Sequence, residues 1–455
     1  MEACDLLLGG SYLLAMDDGD TRIRNGAVAV RGGRILEAGS FERLKKAYAP
    51  AETIWHEDSV IMPGLVDAHT HETLTRGLHE DLPLMRWLEE VCYPIEGQYC
   101  PEDLYAAALM TQAELIRGGV TTFIDIFRFA GEAIRAVRQT GLRGIFTPQF
   151  FDATEDTLES IDRTVELIKT YHGTEDGRVS VWFGPHAPYS VSPERYRRAA
   201  ELAGKLGVGI HTHLCETEDE VRTVRQRYGM DPVAMMQEAG VLDVPCVLAH
   251  CIYLTDSNIR LLAEKRDTAA LVYNPISNLK LADGIARVPE WLKAGCTVGL
   301  GTDSNLSNNG LDMFNEMRIG GYMQKTFNHD ATIMPCGQML RLATRGSAAA
   351  LKMEDKIGSL EAGKCADVIA VSLKKPHLWP IYYENPSNIV EQLVYSARAS
   401  DVITTVCNGR VLMDNGVLRT IDEEEVFAFV QERAASLYAR SFPGRFPCTE
   451  KPPAD

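Results

Sequence analysis

The chain has 455 residues, 45% hydrophobic and 24% charged, an ordinary composition for a globular protein. That length exceeds one small domain and suits a large barrel with an accessory domain. A formal net charge of -17 and a pI near 5.2 give a surface that repels phosphate backbones, so no nucleic-acid partner is expected.

From the first residue, Met1-Glu2-Ala3-Cys4-Asp5 has no basic stretch, and Leu6-Leu7-Leu8 is too short for a signal core. No run approaches the length of a membrane span. Eleven scattered cysteines without a C-x-x-C pair point to a reduced, cytoplasmic protein. Cys215, Cys246, Cys251 and Cys296 lie in apolar runs and read as small core residues.

Residues 1–60 read as short strands. Gly26–Val30 and Arg34–Ala38 flank Arg31-Gly32-Gly33, a hairpin signal. The same texture returns over 362–420: Ala366–Val371 is strand-like, and Val402–Val406 leads through Asn408-Gly409 into Arg410–Met413. Such strands do not stay folded alone, so both chain ends are expected to build one small β-sandwich domain. Residues 421–455 should supply a helix over Asp422–Tyr438 and a loosely ordered, Pro-rich tail from Pro443 to Asp455.

Between the ends, over 61–361, apolar runs alternate with amphipathic stretches such as Leu104–Arg117, Pro193–Leu206 and Val233–Ala239. Strand candidates end near Val66, Asp125, Phe150, Pro185, His213, His250, Asn274 and Asp303. Eight strand–helix units predict an α/β fold, a closed (β/α)8 TIM-type barrel. An open doubly wound sheet would want a Gly-rich phosphate turn after an early strand, and none is present.

In such barrels the C-terminal strand ends carry the chemistry. The first strand finishes in Asp67-Ala68-His69-Thr70-His71, and residues two apart share a face of an extended chain, so both imidazoles can reach one ion. His213 ends the fifth strand and Asp303 the eighth. Three nitrogens and one oxygen suit one divalent metal, Zn2+ first and Fe2+ as the alternative. Such an ion would lower the pKa of a bound water to about 7. Glu216, three residues beyond His213, is placed to shuttle a proton; the bland reading is an acidic helix start, since Thr217-Glu218-Asp219-Glu220 follow. His250 and His186 end strands six and four. His211, one layer below His213, reads as packing or as support for a ligand. With no lysine ending strand four, no carbamate-bridged metal pair is indicated.

The ordered motifs Pro-Gly-Leu-Val-Asp-Ala-His-Thr-His at 63–71, Gly-Pro-His-Ala-Pro-Tyr at 184–189, His-Leu-Cys-Glu at 213–216, Ala-His-Cys at 249–251, Asn-Pro-Ile-Ser-Asn-Leu-Lys-Leu at 274–281 and Gly-Thr-Asp-Ser-Asn-Leu-Ser-Asn-Asn at 301–309 resemble the amidohydrolase superfamily. They are most similar to its S-adenosylhomocysteine/5′-methylthioadenosine deaminase and s-triazine hydrolase branch. The resemblance implies His69, His71, His213 and Asp303 as ligands and Glu216 as proton shuttle. It implies His250 beside Asp303 at the attacking water, and Trp87, Glu96, His186 and Ser307 as substrate contacts. It also implies a homodimer or larger homo-oligomer.

The implied reaction is hydrolytic deamination of an aminated aromatic N-heterocycle, adenosine-like in the first place. A melamine-like or chlorinated s-triazine, or a guanine-type base, is the alternative. One departure bears on the substrate. From Phe146 onward no arginine occurs before Arg163, where adenosine-type members carry one for the sugar and tail, and Phe150 and Phe151 are expected to favour a flat, less polar molecule. Two rival readings are a metal-binding barrel without catalysis, serving assembly, and amide or lactam ring hydrolysis. The complete ligand set with Glu216 and His250 argues against the first, the missing bridging lysine against the second.

Overall fold

The computed structural model describes every residue except 79–80, 83, 155–158, 385 and 445–455. The tail expected to be loose therefore lies, from 445 onward, outside the described residues.

The two chain ends meet in one mixed sheet of eight strands. Glu2–Leu14 lies between Arg22–Arg31, antiparallel, and Tyr48–Pro63, parallel. Val368–Ser372 pairs antiparallel with the far end of Tyr48–Pro63, and Val402–Cys407, Arg410–Asp414 and Val417–Leu418 continue the sheet. The expected hairpin pairs Arg31 with Arg34, and its turn residues Gly32 and Gly33 have φ of +56° and +75°. A two-residue turn of this hand needs positive φ at both positions, which glycine adopts without steric cost. Leu8, Val28, Ile61 and Val368 fill a core belonging to this sheet.

The middle of the chain forms a ring of parallel strands. In order around it stand Leu65–His71, Val120–Asp125, Arg143–Phe146, Val179–Val181, Ile210–Leu214, Cys246–His250, Ala269–Tyr273 and Thr297–Leu300. Short extensions at Gln149–Phe150, Gly184–Pro185 and Asp303–Ser304 lengthen strands three, four and eight. A bridge between Phe183 and Ile210 joins strands four and five, and Asp303 pairs with Thr70 to close strand eight onto strand one. Val120–Asp125, Cys246–His250 and Ala269–Tyr273 are buried along their whole lengths, as strands covered on both faces must be.

The outer helices differ in burial: Pro101–Arg117 is buried over most of its surface, whereas Pro193–Leu206 buries one stripe. In Pro193–Leu206 the stripe is Tyr196, Ala199, Ala200 and Ala203, at i, i+3, i+4 and i+7. Pro193 opens that helix, and Gly207, at φ +68°, ends it. The Tyr196 hydroxyl lies 2.7 Å from Thr212 Oγ1, which ties the helix to the strand between His211 and His213. The expected C-terminal helix spans Glu423–Ser441 and docks on Pro101–Arg117 through Arg433, which donates to Asp103 at 2.6 Å. No helix among the described residues is long and apolar enough to cross a membrane.

Candidate metal centre and active site

The ring brings the strand-end histidines together. His71 Nε2 is 3.4 Å from Asp303 Oδ1 and 3.2 Å from His213 Nε2, and His69 Nε2 is 3.6 Å from the same carboxylate oxygen. Left-handed backbone at three strand ends accompanies this convergence: Cys215, His250 and Asp303 have φ of 51°, 69° and 65°. Non-glycine residues in that region cost roughly 1–3 kcal/mol each, and such strain concentrates at functional sites.

Hydrogen bonds behind the ligands set their protonation. His213 Nδ1 donates to the His186 carbonyl at 2.7 Å, which leaves Nε2 with a lone pair facing the centre. His69 Nδ1 lies 2.8 Å from His211 Nε2, and His211 Nδ1 lies 3.3 Å from Thr147 Oγ1. The Thr147 hydroxyl itself donates to the Asp125 carbonyl at 2.7 Å. With that donor spent, Thr147 accepts from His211, His211 accepts from His69, and His69 Nε2 keeps its lone pair. His211 thus orients the His69 ring.

His69 Nε2 is buried and has no hydrogen-bond partner. Converging imidazole lone pairs next to a carboxylate repel one another in isolation and attract a common cation, so this donor set fits a divalent metal. The ligand atoms of His69, His71 and His213 lie within 4.8 Å of one another, as do those of His69, His250 and Asp303. Burial and neighbouring imidazoles hold the pKa values of His69 and His213 well below the usual histidine range, so both are neutral and able to ligate.

Glu216 follows on the loop into the helix Glu218–Tyr228, and its Oε1 is 3.6 Å from His250 Nε2. Burial first, then the negative Asp283, Asp303 and Glu220, push its carboxyl well above the usual range. A carboxyl that holds its proton at neutral pH can deliver it. The helix start is real as well, capped by Thr217, whose side chain accepts from the Glu220 amide at 3.1 Å. Burial lowers the His250 pKa to about 4.

The centre opens onto a half-open cleft. Trp87, Glu96, His186 and Ser307 all line it, along with Glu216, His250 and Asp303. Burial raises the Glu96 carboxyl to about 7, against the pull of Arg128. His186 Nδ1 bonds Ser190 Oγ at 2.8 Å, and the Phe151 ring packs on His186 with centroids 4.6 Å apart. Phe150 corrects an expectation: it is fully buried and absent from the cavity wall, packing under the Arg195 guanidinium. In a strand, alternate residues face opposite ways, so Gln149 and Phe151 share the cavity face and Phe150 points into the core. Gln149, Tyr93 and Tyr189 are wall residues that the motifs did not single out; Tyr189 ends the quoted 184–189 motif.

The amidohydrolase family model matches residues 60–412, and a bacterial imidazolonepropionase-like composite domain matches residues 26–51. A 5-methylthioadenosine/S-adenosylhomocysteine deaminase of Moorella thermoacetica is 41% identical over 90% of this chain and 95% of its own. One of the same name from Pelotomaculum thermopropionicum is 37% identical over 96% and 99%. Among solved structures, an adenosine deaminase of Xanthomonas campestris with bound zinc superposes with a TM-score of 0.91 at 32% identity, covering 96% of this chain and 99% of its own. A zinc-containing atrazine chlorohydrolase of Arthrobacter aurescens, at 24% identity and a TM-score of 0.86 over 94% and 99%, shares the fold. The chain belongs to the amidohydrolase family.

Proposed function

We propose that this protein is a metal-dependent hydrolytic deaminase of adenosine-like nucleosides, with 5′-methylthioadenosine and adenosine as the leading substrates. The observation that carries the chemistry is the convergence of three imidazoles and Asp303 beside the buried, proton-holding Glu216. The substrate class rests on relatives named 5-methylthioadenosine/S-adenosylhomocysteine deaminase that match almost the entire chain.

His69, His71, His213 and Asp303 would hold the metal, zinc by the donor set and by the zinc-bearing relative. When bound, the ion supplies the Lewis acidity that makes water a competent nucleophile near neutral pH. The protein's own groups do the rest. Glu216 delivers its proton to the ring nitrogen next to the carbon bearing the amino group, which draws electrons from that carbon. Water adds there, with Asp303 accepting one of its protons. The amino nitrogen takes that proton from Asp303 and leaves as ammonia, the added hydroxyl returns its own proton to Glu216, and an oxo group remains on the ring. Glu96 accepts hydrogen bonds from sugar hydroxyls, and Trp87 covers the base.

Among the described residues lining the cavity none is lysine or arginine. That wall therefore offers no positive charge to pair with a tail carboxylate, which disfavours a substrate ending in one. Ammonia release from adenosine, 5′-methylthioadenosine, S-adenosylhomocysteine, guanine, melamine and a chlorinated s-triazine tests the reading. Adenosine and its thioether should lead, with S-adenosylhomocysteine about tenfold or more behind in kcat/KM. Preference for a triazine or guanine, or no ammonia from any of them, overturns it.

The reading extends to a reduced cytoplasmic setting, favoured by ten described cysteines that are all free thiols. It extends also to a homo-oligomer, favoured by the solvent-facing Tyr322, Phe327, Trp379 and Tyr382, 44–57% exposed. Light scattering that finds a monomer removes the second extension.

A further inference from the structure

The short helix Pro275–Lys280 follows the seventh barrel strand and begins the 274–281 motif, to which no role has yet been attached. Two of its buried side chains reach the reacting centre from behind. Asn278 Nδ2 lies 2.8 Å from His250 Nδ1, with the Asn274 amide nitrogen at 3.4 Å from the same atom. Ser277 Oγ donates to Asp303 Oδ2 at 2.6 Å. All three side chains are almost completely shielded from solvent.

With both amide nitrogens turned toward it, His250 Nδ1 accepts. In a neutral imidazole the proton then sits on Nε2. That atom faces the Asp303 carboxylate, with Oδ2 at 4.0 Å, and the Glu216 carboxyl, with Oε1 at 3.6 Å. Both ends of the ring therefore agree on one tautomer. The other would set N–H against N–H at Asn278 and a lone pair against the Asp303 carboxylate. His69 and His213 are arranged the opposite way, each with Nδ1 donating to an acceptor behind it and Nε2 free.

We propose that Asn278 is a positioning residue that fixes His250 as the Nε2–H tautomer, making His250 a hydrogen-bond donor to the reacting oxygen and excluding it from the ligand set. Ser277 is the matching brace for Asp303. The role in turnover rests on the deaminase reading above; the tautomer itself does not.

The test has two arms on the metal-loaded full chain. In the first, the protein is labelled with 15N-histidine and the His250 signals are identified by their loss in His250→Asn. The expected spectrum has the proton on His250 Nε2, and a proton on Nδ1 overturns the proposal whatever the enzyme turns over. In the second, Asn278→Asp and Asn278→Ala are compared by kinetics. A carboxylate at 278 accepts from Nδ1–H and reverses the ring's tautomer, so Asn278→Asp should lose about 10²–10⁴-fold in kcat, with KM and metal content unchanged. Asn278→Ala, which removes the donor without imposing the wrong tautomer, should lose less. A purely structural role predicts the reverse order, because alanine leaves a hole and aspartate does not. That order, or kcat of Asn278→Asp within threefold of the parent, overturns the proposal. If Asn278→Asp fails to fold, the spectrum of the parent protein decides.

Discussion

Both ends of the barrel bury polar side chains and treat them in opposite ways. At the floor, against the mixed sheet, Asp367 pairs with Arg143, accepts from the Asn408 amide at 2.8 Å, and lies 3.4 Å from Thr122 Oγ1. Asp67 accepts from Thr302 Oγ1 at 2.6 Å and from the Thr302 amide at 3.0 Å, joining strands eight and one. At the mouth, His69 Nε2 has no partner, and imidazole lone pairs and carboxylate oxygens face one another at 3.2–3.6 Å. Burial alone therefore does not distinguish structural polar groups from chemical ones. Convergence does: at the mouth several lone pairs face one point that a single cation would satisfy, and an unmet buried group otherwise costs about 1–3 kcal/mol.

Mutations at the two ends should separate activity from stability. The largest effect belongs to the mouth. Glu216→Gln keeps size and burial but removes the transferable proton, so kcat should fall about 10²–10⁴-fold with the melting temperature held or raised. Turnover equal to the parent would remove Glu216 from the reaction. At the floor, Arg143→Met strands the Asp367 carboxylate, and unfolding free energy should drop by about 3–5 kcal/mol with kcat of the folded fraction unchanged. Denaturant melts beside initial rates measure both quantities; a kcat loss without a stability loss would erase the contrast.

Between these extremes lie groups that tune the mouth. His211→Phe removes the acceptor behind His69, and metal affinity should weaken about 10–100-fold in a competitive chelator titration. Equal affinity would reduce His211 to packing. The smallest effect is one of pH. Burial raises the Glu96 carboxyl to about 7, so the acceptor form that binds sugar hydroxyls is present above that pH and is lost as the pH falls through it. KM for adenosine should rise by up to about tenfold per unit below pH 7. Glu96→Gln should give a higher, flat KM over the same range, and an unchanged slope would assign the titration to another group.

The part of this contrast legible in the sequence was the part governed by local periodicity. The two-residue repeat of a strand puts His69 with His71 on one face, and the position of Asp303 after an apolar run marks a strand end. Fold class, ring order and ligand convergence follow from repeating that inference. Phe150 shows the same rule neglected, since Gln149 and Phe151 share the face that Phe150 cannot occupy. The braces were illegible for a different reason. Thr147 acts on His211 across 64 positions, and Asn278 on His250 across 28. Which nitrogen of an imidazole carries a proton depends on that distant partner, and no local pattern encodes it.

The pairing of Asp303 with Thr70 has a consequence for biogenesis. The carboxylate that would complete the proposed ligand set is carried by the last strand and brought into register with the first only when the ring shuts. During synthesis on the ribosome, a nascent chain that has exposed its first five strands already displays His69, His71 and His213 but cannot enclose a cation among four donors. Tight capture waits until the segment through Asp303 has emerged and annealed to its distant neighbour. Loading with the ion then works as a latch on the finished ring, since a ligand bound by the native state alone stabilises that state by mass action.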